Sequence, residues 1–235
     1  AGMDEHLSYL TAHPDAPDRA ERLDQLVASP HPLMNLLSER FAQAAPATRQ
    51  LMLEVLTRRY YRSGQIEALE AVESGGRCFV RAEYEHEGER IHVLSTHAEK
   101  ADLGNALKEM TSFLAGWQGE RQVAVDFYAW QPSPSDEPDA TAAEFQELLN
   151  GAGLNSGVRR VVLCIASPRH GRGGTHTLHF TFRSDGRRFS EERLYRGLHP
   201  MTSKRLQLWR LKNFNIERLP SAEDIYLFKG VAREN

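Results

Sequence analysis

The stretch FTFRSDGRRFSEERLYRGLHPMTSKRLQLWRLKNFNI, Phe180 to Ile216, decides the reading of the fold, because it joins an apolar strand to a long amphipathic helix. Phe180 and Phe182 alternate with Thr181 and Arg183, the period of a strand with one buried face. Leu198, Leu206, Leu208 and Leu211 then supply a helical packing stripe, with Trp209 and Phe214 as further anchors. Between the two, Ser190 reads as a helix N-cap, and Glu191 and Glu192 fall in the first turn, where acidic side chains meet the positive end of the helix. The expectation is a strand, a capped turn and a helix.

Working back towards the N-terminus, Thr175 to Phe182 is strand-like, and the glycine-rich Pro168 to Gly174 forms a hairpin loop into it. Arg159 to Ala166 is a nearly continuous apolar run, which places it in a sheet interior. Thr141 to Leu149 is a short helix, Pro132 to Pro138 a loop, and Val123 to Trp130 a strand. Asp102 to Trp117 carries one apolar helical stripe, Leu103, Leu107, Met110, Phe113 and Leu114. Arg77 to Tyr84 and Arg90 to Ser95 pair as a hairpin, preceded by the turn signal Ser74-Gly75-Gly76. The first third is helical by period, with segments at Asp18 to Ala28, Leu33 to Ala44 and Pro46 to Arg62, punctuated by Pro14, Pro17, Pro30 and Pro32. Beyond the opening stretch, Ile225 to Val231 reads as a last strand.

The fold class expected is α+β. A helical linker or small helical bundle, residues 1–68, precedes an α/β domain, residues 69–235. That domain's sheet is expected to be mixed and mostly antiparallel, with long helices on one face. The junction over Arg62 to Ser74 is the expected hinge. The start, Ala1-Gly2-Met3, and the abrupt end after Val231 suit a piece of a longer polypeptide, truncated at the C-terminus.

A net charge of −3 over 235 residues argues against general binding to nucleic acid or a membrane surface. No apolar run approaches eighteen residues, and Cys78 and Cys164 sit inside apolar strands as buried thiols, which suits the cytoplasm.

Candidate chemistry is sparse. His176 and His179 lie three apart on a strand, on opposite faces, and His86, His92 and His97 lack partners at a metal-ligand spacing. Gly171-Arg172-Gly173-Gly174 lacks the Lys-Ser/Thr of a phosphate loop and leads into a strand. No nucleophile elbow exists, and neither cysteine has a neighbouring histidine in sequence. No catalytic, cofactor-binding or metal residue is assigned. The alternative function is a free-standing nucleic-acid-binding domain. It rests on the arginines between Arg183 and Arg218 and on Phe79 and Tyr84, whose strand vaguely resembles an RNA-binding sheet motif.

Three blocks in matching order resemble the noncatalytic central region of large single-chain, multidomain acetyl-CoA carboxylases, of a bacterial, actinobacterial-like kind. They are Thr48 to Tyr61 (TRQLMLEVLTRRYY), Gly157 to Val162 (GVRRVV), and Phe180 to Arg183 continued through Phe189, Glu191, Arg193, Tyr195, Arg196, Leu198, Pro200, Leu206, Leu208, Arg210, Leu211 and Asn213 to Asn215. His199 and Met201 flank Pro200 where the family usually has Glu and Ala, and Arg90 to Pro138 carries no residue match. The resemblance implies a scaffold between a biotin carboxylase and a carboxyltransferase in a ligase of fatty acid biosynthesis. It implies neighbouring domains of the same chain as partners, including the biotin carrier and a second central α/β domain, and a homo-oligomeric parent. It implies no cofactor in this piece, with biotin, ATP and a divalent metal ion used by the parent, and neither nucleic acid nor membrane as a partner. The chain itself shows no Met-Lys-Met biotinylation motif.

Overall fold

A computed structural model describes residues 3–28, 43–61, 65–86, 88–116, 122–133, 137–154, 157–168 and 175–192. Helices α1 (Met3–Ala12), α2 (Arg19–Ala28) and α3 (Pro46–Tyr60) come first. Strands β1 (Gln65–Ser74), β2 (Arg77–His86) and β3 (Glu89–Glu99) follow, then helix α4 (Leu103–Ala115), β4 (Val123–Trp130), helix α5 (Pro138–Gly151), β5 (Val158–Pro168), β6 (Thr175–Ser184) and β7 (Phe189–Glu191). The fold is α+β, with the seven strands side by side in sequence order.

The sheet is mixed and mostly antiparallel. Among the described residues, only β3 with β4 and β4 with β5 run parallel. Those two connections need crossovers, and α4 and α5 provide them. Both crossovers step in the same direction across the sheet, so a common handedness puts both helices on one face. Beneath them lie Val125, Phe127, Val161, Leu163, Phe180 and Phe182, with the Phe145 ring 5.7 Å from that of Phe127 and 5.4 Å from that of Phe182.

The domain's own helices thus cover one face, as expected. The opposite face is not open, because the N-terminal helices lie on it. Leu7, Leu26, Leu53, Val55 and Leu56 share one apolar core with Val80, Val93, Tyr128, Val162 and Cys164 of the sheet. Helix α3 is the middle layer, touching α1 and α2 on one side and β1, β2 and β3 on the other. A helix buried on both sides shows no amphipathic stripe, and the run Leu51 to Thr57 is buried without interruption.

Two expectations from the sequence need correction. The hinge at Arg62 to Ser74 is mostly β1, paired with β2 through a two-residue turn in which Gly75 and Gly76 take φ of 61° and 80°. Its acidic residues hid it: Glu67, Glu70 and Glu73 lie exposed on an edge strand, two of them ion-paired to Arg90 and Arg81. The second correction concerns Ser190, which caps no helix. Phe189–Glu191 is the strand β7, antiparallel to β6. The turn before it is held by Asp185, whose Oδ1 accepts from the backbone of Arg187 and Arg188, both at 2.8 Å. The outer edge of β7 is met by side-chain amides of α5: Asn150 accepts from Phe189 N at 2.8 Å and donates to its carbonyl at 3.0 Å, and Gln146 accepts from Glu191 N at 2.8 Å. These partners lie 39 and 45 residues away, out of reach of a local pattern. The expected helix at 33–44, the rest of the opening stretch and the strand at 225–231 lie wholly or almost wholly outside the described residues.

Asn150→Ala leaves both backbone groups of Phe189 short of a partner. Urea denaturation is expected to show a loss of about 1–3 kcal/mol, with faster amide exchange at Phe189 and little change in β2 and β3.

Candidate functional site

The two faces of the sheet differ in chemistry. Under α4 and α5 the packing is almost wholly apolar, whereas the face under α3 carries buried Ser95, His97, Asp126 and His179 beside its apolar residues. Asp126 is the centre of this group. It sits in the middle of β4, itself the middle strand, and is 0% exposed.

Period 2 explains its placement. Val125 and Phe127 point to α4 and α5, so Asp126 must point to the N-terminal helices. There it meets the C-cap residue of α3, for Tyr61 donates its hydroxyl to Asp126 Oδ2 at 2.6 Å. Arg160 of β5 donates to the same Tyr61 oxygen at 3.0 Å, and its guanidinium carbon lies 5.8 Å from the centre of the Tyr61 ring. Tyr60 and His179 Nε2 are 3.3 Å apart, and the rings of Tyr60, Tyr61 and Tyr84 form a continuous pile at 4.8 and 4.6 Å. Ser95, Tyr128 and Cys164 complete the surroundings from β3, β4 and β5.

Burial dominates the electrostatics. It pushes the Asp126 carboxyl up to about 6, against the pull of Arg160 and of the hydrogen bond from Tyr61. The Tyr61 hydroxyl is driven well above its ordinary range by burial and then by the Asp126 charge, so it is a donor at any working pH. Burial works against the charge of Arg160, and Tyr61, Tyr60 and Asp126 outweigh it.

A second set of polar bonds fastens the helices to one another. Arg59 donates to the Val27 carbonyl in the last turn of α2 at 2.6 Å, a cation where the helix presents unpaired carbonyls. Buried Glu54 of α3 pairs with Arg19 of α2 at 2.8 Å and with Arg58 at 3.3 Å. On the far side, Arg77 of β2 donates to the His97 carbonyl at 2.7 Å and to Asp102 at 2.8 Å, and it also pairs with Glu109, joining β2 and β3 to the start of α4.

The residues weighed from sequence fall elsewhere. Phe79 and Tyr84 occupy opposite faces of β2, both buried, so they do not form the open aromatic platform of an RNA-binding sheet. Arg183 is ion-paired with Glu192, Arg187 and Arg188 are exposed, and the remaining basic residues of that stretch lie outside the described residues. His92 lies 3.9 Å from Glu83, while burial, then Arg77 and Arg49, depress His97 to about 3 and keep it neutral. The side chains of His86 and His176, and Gly171 to Gly174, lie outside the described residues. Cys78 and Cys164 are buried, and burial followed by the Glu73 charge raises the Cys78 thiol to about 11, far from a reactive thiolate. Among the described residues no three His, Cys, Asp or Glu side chains converge as a metal site would require, and no helix is long and apolar enough to cross a membrane.

Sequence reasoning passed over Asp126, Arg160 and Tyr61. The available signal was a lone carboxylate inside VAVDFYAW, a strand otherwise fit for burial on both faces.

A polar joint under a helical layer, on a sequence-ordered mixed sheet, defines an α+β module. Residues 129–235, from β4 onwards, match the family model described as acetyl-CoA carboxylase, central region. Among solved structures the fold is similar to the crystal structure of the central domain of yeast acetyl-CoA carboxylase, with a TM-score of 0.60 and 14% sequence identity. The likeness covers 90% of this chain and 36% of that one, so the chain spans little more than a third of the yeast chain it resembles.

The raised Asp126 carboxyl has a defined sign. Between about pH 4 and 6 the folded chain holds a proton that the unfolded chain has released, so stability falls as pH rises through that window and is flat above it. The span is about 3 kcal/mol at 1.36 kcal/mol per pKa unit. Asp126→Asn is expected to remove this slope, read as the difference between variant and parent urea midpoints across pH 4–7.

Proposed function

We propose that this chain is a noncatalytic scaffold within the central region of a biotin-dependent acetyl-CoA carboxylase. It sets the distance and orientation between the biotin carboxylase and carboxyltransferase domains as the carrier shuttles between them during malonyl-CoA formation. The observation that carries this reading is the match of residues 129–235 to the family's central region. The likeness in fold to the yeast central domain supports it. So does the buried polar cluster, whose bonds from Tyr61 to Asp126 and Arg160 join α3 to β4 and β5.

A tethered carrier reaches a distant site efficiently only when the span between sites suits the tether, and a mismatch lowers the effective concentration steeply. A stiff body between the two catalytic domains fixes that span. Biotin, ATP and the divalent metal ion then belong to other domains of the parent, as does all contact with acyl-CoA. Its partners are those domains, with a second central α/β domain beside it, in a homo-oligomeric cytoplasmic enzyme of fatty acid biosynthesis.

The test is made on the full-length parent, with residues 43–192 replaced by a flexible linker of equal length. Biotin carboxylation and carboxyl transfer, assayed separately with free biotin derivatives, are expected to stay within about twofold. Overall malonyl-CoA formation is expected to fall by about 10²-fold or more, as lost effective concentration requires. An unchanged overall rate, or loss of either half-reaction by itself, would overturn the reading.

A further inference from the structure

The attachment of α1–α3 to the sheet is built in series. Arg59 and Glu54 bind α2 to α3. The last turn of α3 ends at Tyr61, whose hydroxyl bonds Asp126 on β4 and receives Arg160 from β5. The bonded pairs are separated by 65 and 99 residues, so neither stabilises α3 as an isolated helix. Apolar packing continues the same path, with one core running from α1 through α3 into β5.

Apolar contact alone is non-directional and lets a helix slide by small steps. A buried carboxylate oxygen that accepts from one hydroxyl, which itself accepts from a guanidinium, fixes where that hydroxyl must lie, since a displacement breaks both bonds in a buried place. From this geometry we propose that Tyr61, Asp126 and Arg160 form a latch that makes the helical segment and the sheet one mechanical unit. A displacement at α1–α3 is then carried into β4 and β5 instead of being absorbed between them. Any hinge of the parent falls outside this unit. The use of such stiffness rests on the scaffold reading above, but the latch itself does not, so its test involves no carboxylase activity.

The experiment is amide hydrogen exchange, read peptide by peptide, on the 235-residue chain and on Tyr61→Phe. In the parent chain, α3 and β4–β5 are expected to exchange with protection equal within about threefold, as parts of one cooperative unit do. Tyr61→Phe removes only the hydroxyl. It is expected to raise exchange in α1–α3 by about tenfold or more, the size of a lost buried hydrogen bond, and to leave β4–β5 within about threefold. Tyr84→Leu is the control. It removes ring packing on Tyr61 and leaves the groups of the Tyr61–Asp126 and Arg160–Tyr61 bonds in place, and it is expected to raise exchange in both regions alike. Exchange in parent α3 more than about tenfold faster than in β4–β5 overturns the latch. An equal effect of Tyr61→Phe on both regions, or none on either, does the same. Should Tyr61→Phe fail to fold, the parent measurement still decides.

Discussion

A carboxylate in the middle of the central strand is the constraint on which the rest of the molecule turns. Removing Asp126 from water is costly, and the cost is contained only where partners reach it in fixed positions. Tyr61 reaches it from the end of α3, and Arg160 reaches Tyr61 from the next strand. For the hydroxyl to arrive at 2.6 Å, α3 must lie across the sheet in one register. Helices α1 and α2 must then lie outside α3. The layer order therefore follows from one polar contact as well as from the burial of leucines.

The contrast between the two faces of the sheet gives this meaning. The α4 and α5 face is tied covalently to the strands it covers by short crossovers, so apolar packing is enough to seat those helices. The α3 face is covered by helices that precede the sheet in sequence and connect no two of its strands. Helices not held between two strands have more ways to pack wrongly, and polar partners with few good arrangements suppress the wrong ones. Glu54 with Arg19 and Arg59 with Val27 extend the same logic to α2.

Much of this was legible from residues alone. Val123–Trp130 has the bounds that its apolar run implies, β5 is an interior strand as its continuous run requires, and α4 follows its stripe. The failures share a cause. Strand β1 looked like a linker because Glu67, Glu70 and Glu73 sit on an exposed edge, where side chains need no apolar period. Ser190 looked like a cap because Ser followed by two Glu is a local helix signal. The side chains of Gln146 and Asn150 outweigh it by supplying partners that a strand, not a helix, can use. Asp126 was overlooked for a related reason. A single polar residue in an apolar strand gains its meaning from Tyr61, 65 positions earlier.

The ordering of the sheet has a kinetic consequence. Each described strand pairs with its neighbours in sequence, so this part of the sheet can assemble by successive closures between sequence neighbours, each with a small entropic cost. The contacts of Tyr60 and Tyr61 to β4, β5 and β6 span 65 to 119 residues and mean little until those strands exist. Docking of the N-terminal helices is thus the natural late event. Although α3 precedes the strands in the chain, it waits for those that carry Asp126, Arg160 and His179 before its buried side chains find their places.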